Sequence, residues 1–396
     1  MQIDDRSLLK EGGESSCPRI LLVSVFFPPD QGGVESAAGE FARTLPKLGF
    51  RVTVATTTPQ PIPDGKLDVH VFPHPGFSAN AAALARNIHA DLVLVNGLLL
   101  NGDLSLPFDV VAAGRIPVIY RAHGFHTTFR FYWRKPPFFG LGTFLRSFIR
   151  AVRNAIVFRG LAQTVFLDNS IGVFSNFDIL LARLFHSSNV SFIPNSFSSI
   201  QHDQMSGFRL KYGLAADKTF FLCVANYSDG KGQKDVVRIL RRHPDIDAVF
   251  VFVGTQNNDS FKEAARLAEN DLRIRLLVDI PRGDVIDALN ACDAAFLYSR
   301  KEQQPLFLSE AMSCGKPWIC TNVGSVSKMR GGIVLRRRDS RQFIRAVREL
   351  MNSERRNLLG SEGREFWTTN YAPEVVYARW KRMFDDIVRG RVKCGY

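Results

Sequence analysis

The chain has 396 residues, 45% of them hydrophobic and 32 of them phenylalanine, which excludes a disordered chain and suits two domains better than one. Its formal net charge is +13. A charge of this size favours an anionic partner such as a nucleotide, a nucleic acid or an anionic lipid, without choosing among them. The chain contains no recognised nucleic-acid-binding motif, so we expect no nucleic-acid partner.

Cysteine usage and hydropathy bear on the compartment. The six cysteines form no C-x-x-C pair, and most lie in apolar segments, which predicts buried free thiols in a reducing environment. His123 and His126 have no neighbouring cysteine or carboxylate, so we expect no metal site. The charged N-terminus is unlike a signal peptide, and no apolar run is long enough to cross a bilayer. We therefore expect a cytoplasmic protein.

Apolar runs alternate with helix-like segments along the first half of the chain. The predicted strands are RILLVSVFF (19–27), RVTVATT (51–57), LDVHVFP (67–73), ADLVLVN (90–96) and IPVIYRAH (116–123). Segment 32–49 predicts a helix that begins after glycines and ends at Gly49. Nearly continuous apolar strands separated by helices indicate a parallel sheet covered on both faces.

The same alternation begins again after FIPNSF (192–197). The predicted strands are TFFLCVANY (219–227), AVFVFVG (248–254), IRLLVD (274–279), AAFLYS (294–299) and PWICTN (317–322), and the predicted helices are 233–242, 260–270, 282–291 and 305–314. This pattern predicts an α/β protein of two doubly wound, Rossmann-like domains facing a cleft. We place a flexible segment at 1–18, domains at 19–197 and 198–370, and a C-terminal helical segment at 371–396.

Two glycine-containing motifs follow strand candidates, where open parallel sheets bind ligands. In FFPPDQGGVES, Gly32 and Gly33 let the backbone approach a ligand, and the helix after them presents free N–H groups to a phosphate. In CVANYSDGKGQKD, Lys231 lies between two glycines ahead of a helix, where an ammonium group can reach a diphosphate. Either motif alone is equally typical of an ordinary turn.

A third motif, SRKEQQPLFLSEAMSCGKPWICTNVGS (299–325), places Glu302 in a loop and Glu310 in the next helix. A carboxylate there can accept two hydrogen bonds from vicinal hydroxyls, such as those of a ribose. Most glutamates are solvated surface residues, so the two acids indicate a ligand only together with the other motifs.

In this order, the motifs resemble glycosyltransferase family 4. The matching stretches are PPDQGGVES, FARTLPKLGFRVTVAT, IPNS, GKGQ and EQQPLFLSEAMSCGKPWICTNVGS, and the resemblance covers about residues 19–380. It implies the B-type fold, with an N-terminal acceptor-side domain, a C-terminal nucleotide-sugar-binding domain and a last helix that returns to the first domain. It also implies a retaining, metal-independent transfer from a nucleotide-diphosphate sugar, UDP- or GDP-linked, with no further cofactor.

The resemblance implies roles for individual residues. Glu310 matches the carboxylate that binds the nucleotide ribose, and Glu302 matches the one near C1 of the donor sugar. Lys231 matches the lysine on the donor diphosphate. Leu306 and Phe307 match positions whose backbone amides hold the distal phosphate.

On the N-terminal side, Gly32 and Gly33 match the loop near that diphosphate. His123 matches a histidine near the donor sugar, so Glu302 and His123 are the implied catalytic residues.

Two positions depart from the family pattern. Asn226 stands where an arginine is usual, so another cation is needed at the diphosphate, and Lys234 and Lys301 are the candidates. Gln303 and Gln304 replace a glycine-containing loop, and we expect their amides near the sugar pocket.

The acceptor side is suggested by segment 110–167, which has nine basic and no acidic residues. The basic residues are Arg115, Arg121, Arg130, Arg134, Lys135, Arg146, Arg150, Arg153 and Arg159. Interleaved aromatics, as in FRFYWRKPPFFG, are typical of a surface that lies on anionic lipid. A solvated helical face with phenylalanines in the core is the alternative.

The sequence thus favours a glycosyltransferase acting on a glycan or lipid-linked acceptor in cell-surface polysaccharide or lipopolysaccharide synthesis, peripheral on the cytoplasmic face of a membrane. Two alternatives stay open: a sugar-nucleotide epimerase or hydrolase of the same fold, and an inactive donor-binding or membrane-scaffold protein.

Overall fold

A computed structural model gives the architecture of this chain. The described residues are 17–29, 33–59, 67–73, 76–96, 116–122, 161–166, 190–196, 207–255, 257–302 and 304–390. Gly32, His123, Gln303 and most of segment 110–167 lie outside them.

The first sheet has seven strands in the order β3-β2-β1-β4-β5-β6-β7, with parallel pairing of β1 to both β2 and β4. The strands are β1 Arg19–Val23, β2 Arg51–Thr56, β3 Asp68–Val71, β4 Leu92–Asn96, β5 Val118–Ala122, β6 Gln163–Phe166 and β7 Val190–Phe192. Helix α1 spans Gly33–Thr44 and continues as a 3₁₀ turn to Leu48, and α2 spans Phe77–Asn87. The five predicted strands are confirmed, whereas β6 and β7 are too short for periodicity to indicate.

The second sheet has six strands in the order β10-β9-β8-β11-β12-β13. They are β8 Thr219–Val224, β9 Ala248–Gly254, β10 Ile274–Val278, β11 Ala294–Leu297, β12 Trp318–Thr321 and β13 Gly332–Leu335. The helices are α3 Phe208–Lys211, α4 Gln233–Arg241, α5 Asp259–Ala268, α6 Arg282–Ala291, α7 Leu306–Ser313, α8 Ser340–Leu350, α9 Ser353–Asn370 and α10 Pro373–Val388. The two parallel α/β domains predicted from the sequence are confirmed.

A polar network is buried at the carboxyl ends of β1, β4 and β5. Asn96 donates to the Ser24 hydroxyl over 3.2 Å and accepts from the Arg121 guanidinium over 3.1 Å. Arg121 lies over the ring of Phe41 and is 2% exposed. The expectation that Arg121 belongs to a membrane-facing basic surface is therefore wrong, because its side chain is held in the interior.

Helix α7 is fixed in place by close packing against α9. A Cβ atom on Gly360 of α9 would lie 2.2 Å from the carbonyl oxygen of Gly315, just after α7, so only glycine permits this approach. Within α7, Leu308, Ala311 and Met312 are fully buried. The helix that carries Glu310 is therefore rigidly anchored in the second sheet's core.

The described residues form two compact units. One contains β1–β4 and α10 from Phe384 onward, and the other contains the second sheet with α3–α9. Phe384 is fully buried and packs edge-on against Phe50, with ring centroids 5.5 Å apart. Of the helices in the described ranges, none combines the length and apolar character that crossing a membrane requires. The predicted domain limits stay predictions.

Candidate active site

The candidate site lies where the strand order of the second sheet reverses. From β8 the chain proceeds outward through β9 and β10, then returns to β11 on the other side of β8 and proceeds through β12 and β13. The carboxyl ends of β8 and β11 therefore flank a topological switch point, the usual ligand site of open α/β sheets. The loop 225–232 follows β8 and the loop 298–305 follows β11.

Backbone groups and one arginine tie these two loops together. The Arg300 N–H donates to the Gly230 carbonyl over 2.7 Å. Arg338 donates to the carbonyls of Tyr298 (2.6 Å), Asp229 and Gly230 (2.9 Å each). Its charge is balanced by Asp235 at 2.9 Å, while burial lowers the pKa of Arg338. Sequence reasoning missed Arg338, since in LRRRD it is indistinguishable from surface arginines.

The second glycine of the Gly-Lys-Gly turn has a steric explanation. Gly232 has φ +78°, and a Cβ atom there would lie 2.3 Å from the Arg338 guanidinium and 2.5 Å from the Tyr298 carbonyl oxygen. The Lys231 N–H closes the turn on the Ser228 carbonyl over 3.1 Å. Because α4 begins at Gln233, Lys231 lies in a tight turn at the N-terminus of a helix.

Lys231 and Glu302, 71 positions apart, meet at this point. The Lys231 ammonium lies 2.6 Å from Glu302 Oε1, and the Ser299 hydroxyl donates to the same oxygen over 2.7 Å. The Glu302 side chain is 11% exposed and that of Lys231 is 31% exposed. The structure thus brings together two of the predicted site residues and adds a third, Ser299, which lies two residues after the end of β11.

Glu310 occupies the second turn of α7 and pairs with Arg282, the first residue of α6. At the start of α7, Leu306 and Phe307 are the first two residues after Pro305. In the described part of the chain, neither of their backbone N–H groups has a hydrogen-bond acceptor. These amides and the positive end of the helix dipole are available to an anion.

The candidates for a cation to replace the usual arginine differ in their environments. Asn226 accepts a hydrogen bond from Thr255 over 2.5 Å. Lys234 is held by Asp229 at 2.6 Å and Glu263 at 2.9 Å, and these two carboxylates raise its pKa. The positive charge of Lys234 is therefore already balanced by two carboxylates. Lys301 is exposed.

Gln304 has a structural role. Its side chain is buried, its carbonyl accepts from the Asn195 N–H over 2.7 Å, and its amide donates to the Asn195 carbonyl over 3.1 Å. Ser196 donates to the Tyr371 carbonyl over 2.6 Å. The expectation that Gln304 presents its amide to a sugar is wrong, because both ends are used on the IPNS segment.

The buried thiols beneath the site are inert. Burial raises the pKa of Cys223 to about 12 and also raises the pKa of Cys320. The charge of Glu302 raises and that of Lys231 lowers the pKa of both thiols, by less than burial does. Neutral thiols in this position act as small apolar side chains.

Three further site residues were predicted in the first half of the chain. Gly33 is the first residue of α1, whereas Gly32 and His123 lie outside the described residues. Their roles stay predictions.

Comparison with known proteins shows a similarity within the second half of the chain. Residues 207–366 match the model of glycosyl transferases group 1. N-acetyl-alpha-D-glucosaminyl L-malate synthase of Bacillus anthracis is 24% identical over 192 residues, which are 47% of this chain and 50% of that protein. The chain thus matches about half the length of this curated relative.

Solved structures match over nearly the whole chain. Sucrose-phosphate synthase from Thermosynechococcus elongatus has a TM-score of 0.76 at 16% identity and covers 94% of this chain and 100% of that one. Anabaena HepE, in complex with UDP and glucose, has a TM-score of 0.70 at 15% identity and covers 92% and 99%. The chain therefore has the B-type glycosyltransferase fold, and its residues 207–366 are similar to the group 1 glycosyl transferases.

Proposed function

We propose that this chain is a retaining glycosyltransferase of family 4 that takes its sugar from a nucleotide-diphosphate donor, UDP- or GDP-linked. The observation that carries the proposal is the meeting of Lys231 and Glu302 at the switch point of the second sheet. HepE, a protein of similar fold, is described in complex with UDP and glucose.

The geometry supports a separate role for each site residue along the length of the donor. Glu310, on a rigid helix and 14% exposed, would accept hydrogen bonds from the ribose hydroxyls. Lys231 and the amides of Leu306 and Phe307 would hold the diphosphate. Glu302 would bind the sugar, since its carboxylate lies beside the lysine.

Leaving-group stabilisation is the chemistry this arrangement can perform. As the bond from C1 to the diphosphate oxygen breaks, negative charge grows on the diphosphate, and a fixed ammonium stabilises it more in the transition state than before it. The new bond forms between C1 and an acceptor oxygen on the same face. The acceptor proton passes to the leaving phosphate. Attack on the same face accounts for retention without a protein nucleophile.

The acceptor is a separate part of the proposal. We propose a glycan or lipid-linked acceptor used in cell-surface polysaccharide or lipopolysaccharide synthesis, with the basic residues of segment 110–167 other than Arg121 on an anionic membrane. The charge and aromatic pattern of that segment support this. Co-sedimentation with vesicles containing an anionic lipid should fall as salt rises, and failure to bind at low salt would remove the membrane contact.

Donor turnover tests the function. Thermal shift against UDP-, GDP- and dTDP-sugars should identify one donor that raises the melting temperature. Release of nucleoside diphosphate should then require an acceptor, and NMR should show the product with the donor's anomeric configuration. Free sugar or an epimer formed without acceptor would instead indicate a hydrolase or an epimerase. Binding without turnover for any acceptor would indicate an inactive protein.

A further inference from the structure

The two carboxylate oxygens of Glu302 have unequal environments. Oε1 receives two hydrogen bonds, from the Lys231 ammonium (2.6 Å) and the Ser299 hydroxyl (2.7 Å). No group in the described ranges donates to Oε2. A carboxylate offers about four acceptor positions, so Glu302 retains capacity for a substrate hydroxyl on Oε2.

The two donors to Oε1 differ in how firmly they are held. Ser299 is 1% exposed, and its carbonyl accepts from the Thr321 hydroxyl over 2.5 Å. The next residue, Arg300, is bonded through its N–H to Gly230. Ser299 is thus fixed through its backbone, by the Thr321 hydroxyl on β12 and, through the neighbouring Arg300 N–H, by the loop after β8. Lys231 carries its charge on a long flexible stem that is about a third exposed.

An incoming diphosphate distinguishes these donors further. It carries more negative charge than one carboxylate and attracts the Lys231 ammonium, which the proposed function places on it. The neutral Ser299 hydroxyl carries no charge that the diphosphate could attract, so it stays in place. After the exchange, Ser299 is the donor to Glu302 that stays.

We propose that Ser299 is a positioning residue: it holds Glu302 Oε1 when Lys231 moves to the donor diphosphate, and so leaves Oε2 in a fixed place for a hydroxyl of the donor sugar. The inference rests on the proposed function and deepens it. Ser299 acts through Glu302 and has no role in binding the nucleotide, which Glu310 and Lys231 hold.

The test is a double-mutant cycle read in single-turnover rates with saturating donor. Ser299→Ala should lower the rate about 10- to 100-fold, as expected for loss of a hydrogen bond to a charged group. In a Glu302→Ala background the same change should lower the residual rate less than about twofold, because no carboxylate remains to be positioned. The donor Kd should stay within about threefold, because ribose and diphosphate contacts are intact.

Ser325→Ala is the matched control. Ser325 is 2% exposed, and within the described residues its hydroxyl has no hydrogen-bond partner, so the same atom is lost from a similarly buried place. We expect wild-type rates. Ser299→Thr, which keeps the hydroxyl, should retain more activity than Ser299→Ala. If Ser299→Ala does not fold, Ser299→Cys takes its place, with a weaker donor and the same criteria.

Two outcomes would overturn the inference. One is a Ser299→Ala rate within twofold of wild type. The other is an equal loss of rate on Ser299→Ala with and without the Glu302 side chain, which is what a packing defect produces. A wild-type chain with no turnover on any nucleotide sugar would instead remove the proposed function itself. The two failures are therefore distinguishable.

Discussion

Two lysines three residues apart, one in the Gly-Lys-Gly turn and one in the first turn of α4, have opposite surroundings. In the part of the chain that the structure describes, Lys231 pairs with one carboxylate, Glu302, whose side chain is only 11% exposed. Lys234 pairs with two carboxylates, Asp229 and Glu263, that are 65% and 35% exposed. Sequence spacing alone makes both equally good ligands for a phosphate.

The difference lies in what each charge has left to offer. The ammonium of Lys234 is already shared between two acids. It holds the pKa values of both carboxyl groups below their ordinary range. Among the described residues, Lys231 has a single acidic partner, Glu302, which is itself held by Ser299. An incoming diphosphate therefore has one acid to displace at Lys231 and two at Lys234, so we expect Lys231 alone to contribute to the reaction.

The largest expected effect comes from removing the first of these charges. Lys231→Ala should lower kcat about 10²–10³-fold, the cost typical of losing one group that stabilises a developing anion. Lys234→Ala is the control and should leave kcat within about twofold. Steady-state kinetics on both variants, with the donor identified by thermal shift, gives the comparison. Equal losses would mean that both lysines hold the diphosphate.

The carboxylate partners extend the comparison. Glu302→Gln should lower kcat about 10- to 100-fold, since an amide is a weaker acceptor for the sugar hydroxyl than a charged carboxylate. Glu263→Gln changes the same atoms on the Lys234 side and should be nearly silent. Full activity of Glu302→Gln would remove its assignment at the sugar.

A smaller effect is expected at Glu310, which pairs with Arg282. Glu310→Ala should weaken donor binding about tenfold with little change in kcat, because ribose contacts are present before and during the reaction alike. Glu349→Ala removes a glutamate that pairs with Arg355 at 2.7 Å on the surface and serves as the control. Isothermal titration with the nucleoside diphosphate measures the change, and an unaltered Kd would contradict the ribose role.

The strands could be predicted because buried parallel strands are continuous apolar runs, as in β8 and β9, which are buried over most of their length. β13, with four residues and a partly exposed pattern, gives no such signal. The helices after the strands were predictable for a related reason: α4, for example, has an apolar face of buried residues opposite arginines.

The site was predictable only in part. Motif resemblance selected Lys231, Glu302 and Glu310, but the contact of Lys231 with Glu302 depends on β8 and β11 being neighbours, which no local pattern determines. Arg338 and Gln304 were missed or misplaced for one reason. Polar side chains are expected at surfaces or ligands, but here Gln304 is buried and Arg338 is partly buried because they satisfy backbone groups of adjoining loops.

The smallest effect concerns stability and its dependence on pH. Lys234 lowers the pKa values of Asp229 and Glu263, so their stabilising contribution is present above their unfolded values of about 4 and is lost as pH falls through the lower folded values. The raised pKa of Lys234 sets the other limit, because that contribution is lost as pH rises through its folded value.

Lys234→Met should therefore melt slightly below wild type at pH 7, by a difference that shrinks below about pH 4 and also in high salt, since the three groups are at the surface. Thermal unfolding followed by circular dichroism from pH 3 to pH 8 measures it. A difference that persists unchanged at pH 3 would show that the lysine stabilises through its methylene contacts. In that case the ion pairs of Lys234 with its two acids would not explain why Lys234 does not bind a ligand. The difference between Lys234 and Lys231 would then need another cause.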